Sequence, residues 1–338
     1  MSEGTVLVAR LDSMGDVLLS GPAVRAVAHH AERVVYLAGP RGAEAAALLP
    51  GVDRVLTWCA PWIAADPPPV DRADVTALVD RLSRLGAQAA VLLTSFHQSP
   101  LPLALLLRMA GVPRISAVSE DYPGSLLDVR HHVEFGVPEA ERMLSVAEAA
   151  GYPPPAGETG RLAVRRPLPD TRALTGPDGY AVVHVGADAP SRELPPDLAA
   201  KTVAALAERG HRVLVTGAAG EADQAAEVAA HGGTSLAGRT GLAELADVLD
   251  RAAVLVSGNT GPAHLAAAVG TPVVSLFAPV VPASAWAPYG TPVRVLGDQR
   301  APCADTRARV CPVPGHPCLA SVSSDDVLTA VDELLGER

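Results

Sequence analysis

Short runs of apolar, β-branched residues alternate along the chain with longer stretches rich in Ala and Leu, which predicts strands each followed by a helix. Residues 5–9 (TVLVA) read as a strand leading into a helix over 17–30. Further strands are expected at 33–37, 53–58, 87–94 and 114–118, with helices from 42, around 74–85, at 101–110 and around 138–150. The segment 151–170 (GYPPPAGETGRLAVRRPLPD) holds five prolines and three glycines. Neither a helix nor a central strand tolerates that content, so it reads as a linker. The alternation then restarts, with strands at 180–185, 211–217, 253–257 and 272–277 and helices at 196–209, 221–230 and 242–250. An amphipathic helix at 323–335 ends the pattern, with Ser323 or Ser324 as its N-cap and acids in its first turn.

This alternation in both halves implies an α/β protein whose parallel sheets are covered by helices on both faces. Two Rossmann-like domains are expected, 1–160 and 170–322, their sheets facing a cleft between them. Residues 323–338 then form a C-terminal helix free to pack back on the first domain. In such sheets ligands bind beyond the C-terminal strand ends, so the strand-to-helix loops are where chemistry is sought.

Composition narrows the function. The 338 residues are 49% hydrophobic, enough for two cores. A net charge of −10, with no run of Lys or Arg, argues against a nucleic-acid partner. The longest apolar stretch, 101–112, is broken by Arg108 and too short to span a bilayer. The first residues lack a signal-peptide pattern, so a soluble cytoplasmic protein is expected.

The first strand runs into RLDSMGDVLLSGPAV (10–24), which places Asp12, Ser13, Met14, Gly15 and Asp16 at a strand–helix turn. Asp16 reads either as a helix N-cap or as a general base. In the second half, Arg192 stands before a Pro-initiated helix, where it is a solvated loop residue or a fork for phosphate oxygens. Glu221 is a first-turn helix acid or an acceptor for ribose hydroxyls. The stretch SGNTGPAHLAAAVG (257–270) joins two apolar runs. Pro262 suits the first turn of a helix. The Thr260, Gly261 and Ala263 amides would then point out of its N-terminus toward an anion, with His264 as an added donor. The plainer reading is a helix capped by Asn259 or Thr260. No Walker-type loop, no GxGxxG after the first strand and no GxSxG elbow occur. Cys303, Cys311, His316 and Cys318 lie close in sequence and include the donor types of a zinc site. They lack a CxxC knuckle, and packing in a Pro-rich loop is the favoured reading.

Together these segments resemble the ADP-heptose:lipopolysaccharide heptosyltransferases of glycosyltransferase family nine, in an actinobacterial-like variant. The resemblance is carried by VLVARLDSMGDVLLSGPAVRAV near the start, by 236–279 with its TGPAH turn, and by WAPYG at 286–290. It implies a GT-B fold whose first domain binds the acceptor and whose second binds the nucleotide sugar. It also implies inverting transfer without a metal or other cofactor. The family's base matches Asp16, its diphosphate contacts match Arg192 and the Thr260, Gly261, Pro262 and His264 turn, and its ribose acid falls at Glu221. Asp12, Ser13, Met14, Gly15 and His97 become acceptor-side candidates. The expected donor is an ADP-heptose-like nucleotide sugar. The acceptor is a glycan, lipid or natural product, reached in the cytoplasm or at the inner membrane face. Two departures stand out. Gly258-Asn259 replaces the family's Asn-Asp, and Leu194 replaces the Trp that follows the basic residue. A nucleotide-sugar epimerase of the same fold and a non-catalytic nucleotide-sugar-binding protein are the alternative readings.

Overall fold

The computed structural model describes residues 3–336. The chain divides into two compact units, with the boundary between Val164 and Arg165 inside the Pro-rich segment. Strands β1 (Glu3–Arg10), β2 (Ala31–Ala38), β3 (Arg54–Thr57), β4 (Ala89–Leu92), β5 (Ile115–Val118) and β6 (Val129–His131) form the first sheet. The second contains β7 (Ala181–His184), β8 (Val213–Thr216), β9 (Gly233–Ser235), β10 (Val254–Gly258), β11 (Val273–Leu276) and β12 (Val293–Leu296).

The strand orders are β3-β2-β1-β4-β5-β6 and β12-β11-β10-β7-β8-β9. Counted from its own first strand, each sheet has the order 3-2-1-4-5-6, the doubly wound arrangement of a Rossmann fold. All pairs are parallel, and fully buried runs such as Val6–Val8 and Val254–Val256 form the central strands, as a sheet covered on both faces requires.

The single helix expected over 17–30 is in fact two, Met14–Leu19 and Gly21–His30. Pro22 lacks an amide and cannot continue the first helix, but it suits the first turn of the second. The Ser20 hydroxyl bridges the break, donating to the Val17 carbonyl at 2.6 Å and meeting the Tyr36 hydroxyl at 2.7 Å.

The final helix contributes to the core of the second unit. Val327, Val331 and Leu334 on Ser324–Gly336 belong to the same apolar core as Val183, Val215 and Val256. Ser323 caps it: its hydroxyl accepts from the Asp326 amide at 3.2 Å, and the Asp326 carboxylate accepts from the Ser323 amide at 2.8 Å. Leu334→Ala is therefore expected to destabilise the second unit by about 2–5 kcal/mol, measured as a shift of its urea-unfolding midpoint.

Candidate active site

β1 ends in a buried arginine. Arg10 has no exposed surface, and its guanidinium pairs with Asp12 at 2.6 Å, Asp16 at 2.9 Å and Glu139 at 3.4 Å. It also donates to the Ser95 hydroxyl at 3.3 Å. Arg142 in turn donates to Glu139 at 2.7 Å, so two guanidiniums face three carboxylates. Burial pushes the Asp12 carboxyl above its ordinary range, opposed by Arg10 and reinforced by Asp16. Gln98 donates to Asp12 and so ties the loop after β4 to the same cluster.

Asp16 is not the N-cap of its helix. Ser13 holds that position, and its hydroxyl donates to Asp16 at 2.7 Å rather than capping a backbone amide. The Asp16 carboxylate is thus oriented by two side chains, Arg10 and Ser13, and keeps 20% of its side-chain surface exposed. Met14 and Gly15 form the first turn beside it. His97 lies on the neighbouring loop, exposed, with its ring 5.5 Å from that of Phe96.

In the second unit the candidate residues lie on the loops that leave β7, β8 and β10. Arg192 ends a single 3-10 turn, Pro190–Arg192, and the following helix starts at Pro196. Its backbone is held from two sides. Ser191 donates through its amide to the Arg309 carbonyl at 3.0 Å and through its hydroxyl to the Ala308 carbonyl at 2.6 Å. Opposite, a Cβ on Gly258 would overlap the Arg192 carbonyl oxygen. The structure thereby brings Arg192 against the turn at 258–264.

That turn opens the helix Gly261–Val269, with Thr260 as N-cap residue in an extended conformation and no capping bond from its side chain. The Ala263 amide, expected to point outward, donates to the Thr260 carbonyl at 3.1 Å. Among the described residues this leaves the Thr260 and Gly261 amides as the donors at the helix start. Pro262 and His264 are buried in the first turn. Asn259 is 9% exposed, and its side-chain oxygen is buried without a hydrogen-bond partner among the described residues. Glu221 does cap, since its carboxylate accepts from the Ala218 amide at 2.6 Å. It also occupies the space where a Cβ on Gly186 would lie, which seats it between the loops after β7 and β8.

A row of polar residues crosses the sheet at these strand ends. Ser275, Ser257, His184 and Thr216 are in register on β11, β10, β7 and β8, and all four are buried. His184 Nδ1 lies 3.0 Å from the Thr216 hydroxyl, and burial lowers its imidazole to about 4. The fold therefore holds it neutral.

Among the described residues no three His, Cys, Asp or Glu side chains are arranged to hold a metal ion. Cys303 and Cys318 pack instead in the second unit's apolar core, and burial with Cys303 and Cys311 nearby pushes the Cys318 thiol up to about 11. Cys311 donates to the Val313 carbonyl, and His316 begins the short helix Pro317–Ala320.

Sequence reasoning missed Arg10, Glu139, Arg142, Ser95 and Gln98. One signal for the first was present: a charged residue directly ending the fully apolar run VLVA.

Two Rossmann-like units with polar loops at their C-terminal strand ends are the elements of the GT-B fold. The model of glycosyltransferase family 9 (heptosyltransferase) matches residues 81–316, well over half of the chain, and the chain belongs to that family. No curated protein sequence matches it. Among solved structures it is similar to the family 9 glycosyl transferase from Veillonella parvula DSM 2008, at 15% identity and a TM-score of 0.77, covering 100% of this chain and 98% of that one. It is also similar to the E. coli ADP-heptose lps heptosyltransferase II, at 19% identity, a TM-score of 0.75 and coverage of 98% and 99%. The E. coli heptosyltransferase WaaC with ADP aligns at 20% identity, a TM-score of 0.71 and coverage of 98% and 99%. These similarities extend over essentially the whole of both chains.

The neutral His184 gives the second unit a defined acid response. Above pH 6.5 both folded and unfolded chains carry a neutral imidazole, and its contribution is complete. Between pH 6.5 and about 4 only the unfolded chain takes up the proton, so stability falls on acidification. His184→Gln is expected to remove up to about 3 kcal/mol of that pH-dependent loss, read from melting temperatures between pH 4 and 7.

Proposed function

We propose that this enzyme transfers a heptose or closely related sugar from an ADP-heptose-like nucleotide sugar to a hydroxyl of a glycan, lipid or natural-product acceptor. The observation that carries the reading is Asp16, a carboxylate oriented by Arg10 and Ser13 and still open to solvent at the end of β1. General-base chemistry needs such a group, fixed yet reachable.

In the proposed reaction Asp16 removes the proton of the acceptor hydroxyl. The freed oxygen attacks the anomeric carbon from the face opposite the diphosphate, the carbon–oxygen bond to the diphosphate breaks, and ADP leaves with configuration inverted. The Arg192 guanidinium, the Thr260 and Gly261 amides and His264 take up the leaving charge, which favours departure without a metal or cofactor. Glu221, preset by the Ala218 amide, accepts from the ribose hydroxyls. Asn259 offers an amide where the family carries an acid, and we read it as the contact that sets the sugar preference. The first unit then serves the acceptor and the second the donor. Among the described residues no helix is long and apolar enough to cross a membrane. We read the enzyme as acting in the cytoplasm or at the inner membrane face.

Two substitutions separate the roles. Asp16→Asn is expected to lower kcat by about 10²–10⁴-fold in a mass-spectrometric transfer assay while the Kd for ADP stays within twofold. Near-wild-type transfer by this variant would sink the base assignment. Arg192→Ala is expected to weaken ADP binding at least about tenfold by calorimetry, as loss of a charge-assisted phosphate contact does.

A further inference from the structure

Aromatic residues are scarce in this chain: three Phe, five Tyr and three Trp among 338 residues. Such side chains normally go to cores or to places where they are used. Among the described residues the exposed large aromatics are Phe96, Tyr122 and Phe135. Phe96 lies in the loop leaving β4, Tyr122 in the loop leaving β5 and Phe135 in the loop leaving β6. These strands are parallel neighbours, so the three loops share the C-terminal edge of the first sheet. β1 adjoins β4, and its loop brings Asp16 to the same edge.

The rings are held in place. Phe96 and Phe135 meet edge to face, with centroids 5.4 Å apart at 77°. The loop bearing Phe96 is tied through Ser95 to Arg10 and through Gln98 to Asp12, the cluster that also holds Asp16. Arg130 on β6 donates to the Ser119 carbonyl at 2.8 Å and the Glu120 carbonyl at 2.6 Å, which fixes the loop bearing Tyr122. Tyr122 and Phe135 nevertheless remain 85% and 67% exposed. Exposed aromatic rings grouped on one edge of a sheet mark a candidate binding surface.

Charge selects the occupant. Glu120 and Asp121 precede Tyr122, Glu134 precedes Phe135, and all three acids are exposed. Arg130, bonded to the Glu120 carbonyl, and His132, 3.7 Å from the Glu120 carboxylate, offset part of this charge, and the remaining acidic excess disfavours an anionic lipid surface or a phosphorylated ligand. A pyranose ring combines a face of C–H groups with a rim of hydroxyls, and that face suits an aromatic ring.

We infer that this edge is the acceptor platform and that it takes an uncharged or cationic glycoside, its sugar ring laid on Phe96 and Phe135 with its hydroxyl toward Asp16. The inference rests on the transferase reading above, because it is the acceptor of that reaction that it names.

The test uses the full chain and 4-nitrophenyl β-D-glucopyranoside as probe, followed by saturation-transfer NMR and titration. Saturable binding is expected, at least tenfold weaker in the Phe96→Ala/Phe135→Ala double variant and retained in Phe96→Tyr/Phe135→Tyr. ADP affinity should be equal in all three proteins, which also reports that the double variant is folded. Phosphatidylglycerol vesicles should not sediment the wild-type chain. The inference is overturned if the glycoside does not bind, if the alanine variant binds it equally well, or if the vesicles retain the chain through these two rings. A wild-type chain that fails to bind ADP would count against the transferase reading itself. One that binds ADP but not the glycoside would remove only the platform.

Discussion

A single buried guanidinium holds the C-terminal edge of the first sheet together. Arg10 faces Asp12, Asp16 and Glu139 with no access to water. Without it the three carboxylates would repel one another in a medium that screens them poorly, and without them the arginine would be an isolated buried charge. The loop after β1, the loop after β4 and the helix Glu139–Ala149 each contribute a partner, so one side chain meets all three. The orientation of Asp16 follows from this packing. A carboxylate on a free surface loop would sample many rotamers, and this one is limited to those that satisfy Arg10 and Ser13.

The second unit reaches an organised edge by other means. Its charged candidates, Arg192 and Glu221, are placed chiefly through backbone. The turn carrying Arg192 is clamped between Gly258 and the carbonyls of Ala308 and Arg309, and Glu221 closes on the Ala218 amide over Gly186. An edge built from amides and a few fixed side chains suits a ligand rich in phosphate oxygens, whereas the carboxylate-rich edge of the first unit suits proton transfer.

Much of this was legible in the residues. The central strands announce themselves because burial on both faces demands uninterrupted apolar runs, as in VLVA at 6–9 and VLV at 254–256. Strands β6, β9 and β12 escaped notice for the complementary reason. They lie at sheet edges, and Val129–His131, Gly233–Ser235 and Val293–Leu296 carry polar or small residues among half-buried ones. Asp16 and the 258–264 turn could be named as candidates because each group lies within one short loop. The Arg10 cluster could not, since Glu139 and Arg142 lie far along the chain and meet Arg10 only through the fold. The C-terminal Cys-rich loop was likewise read for its thiols, and what it supplies to the site is two backbone carbonyls.

The absence of a side chain at 258 reaches beyond that position. Because the Arg192 carbonyl fills the space, any larger residue there obliges the 190–194 segment to withdraw, and the Ser191 bonds to residues 308 and 309 withdraw with it. Three stretches remote in sequence therefore behave as one interchangeable cassette. A loop cluster of this kind transplanted between two proteins of this fold has to carry all three, since a graft of the Thr-Gly-Pro turn alone would arrive without the wall that shapes it.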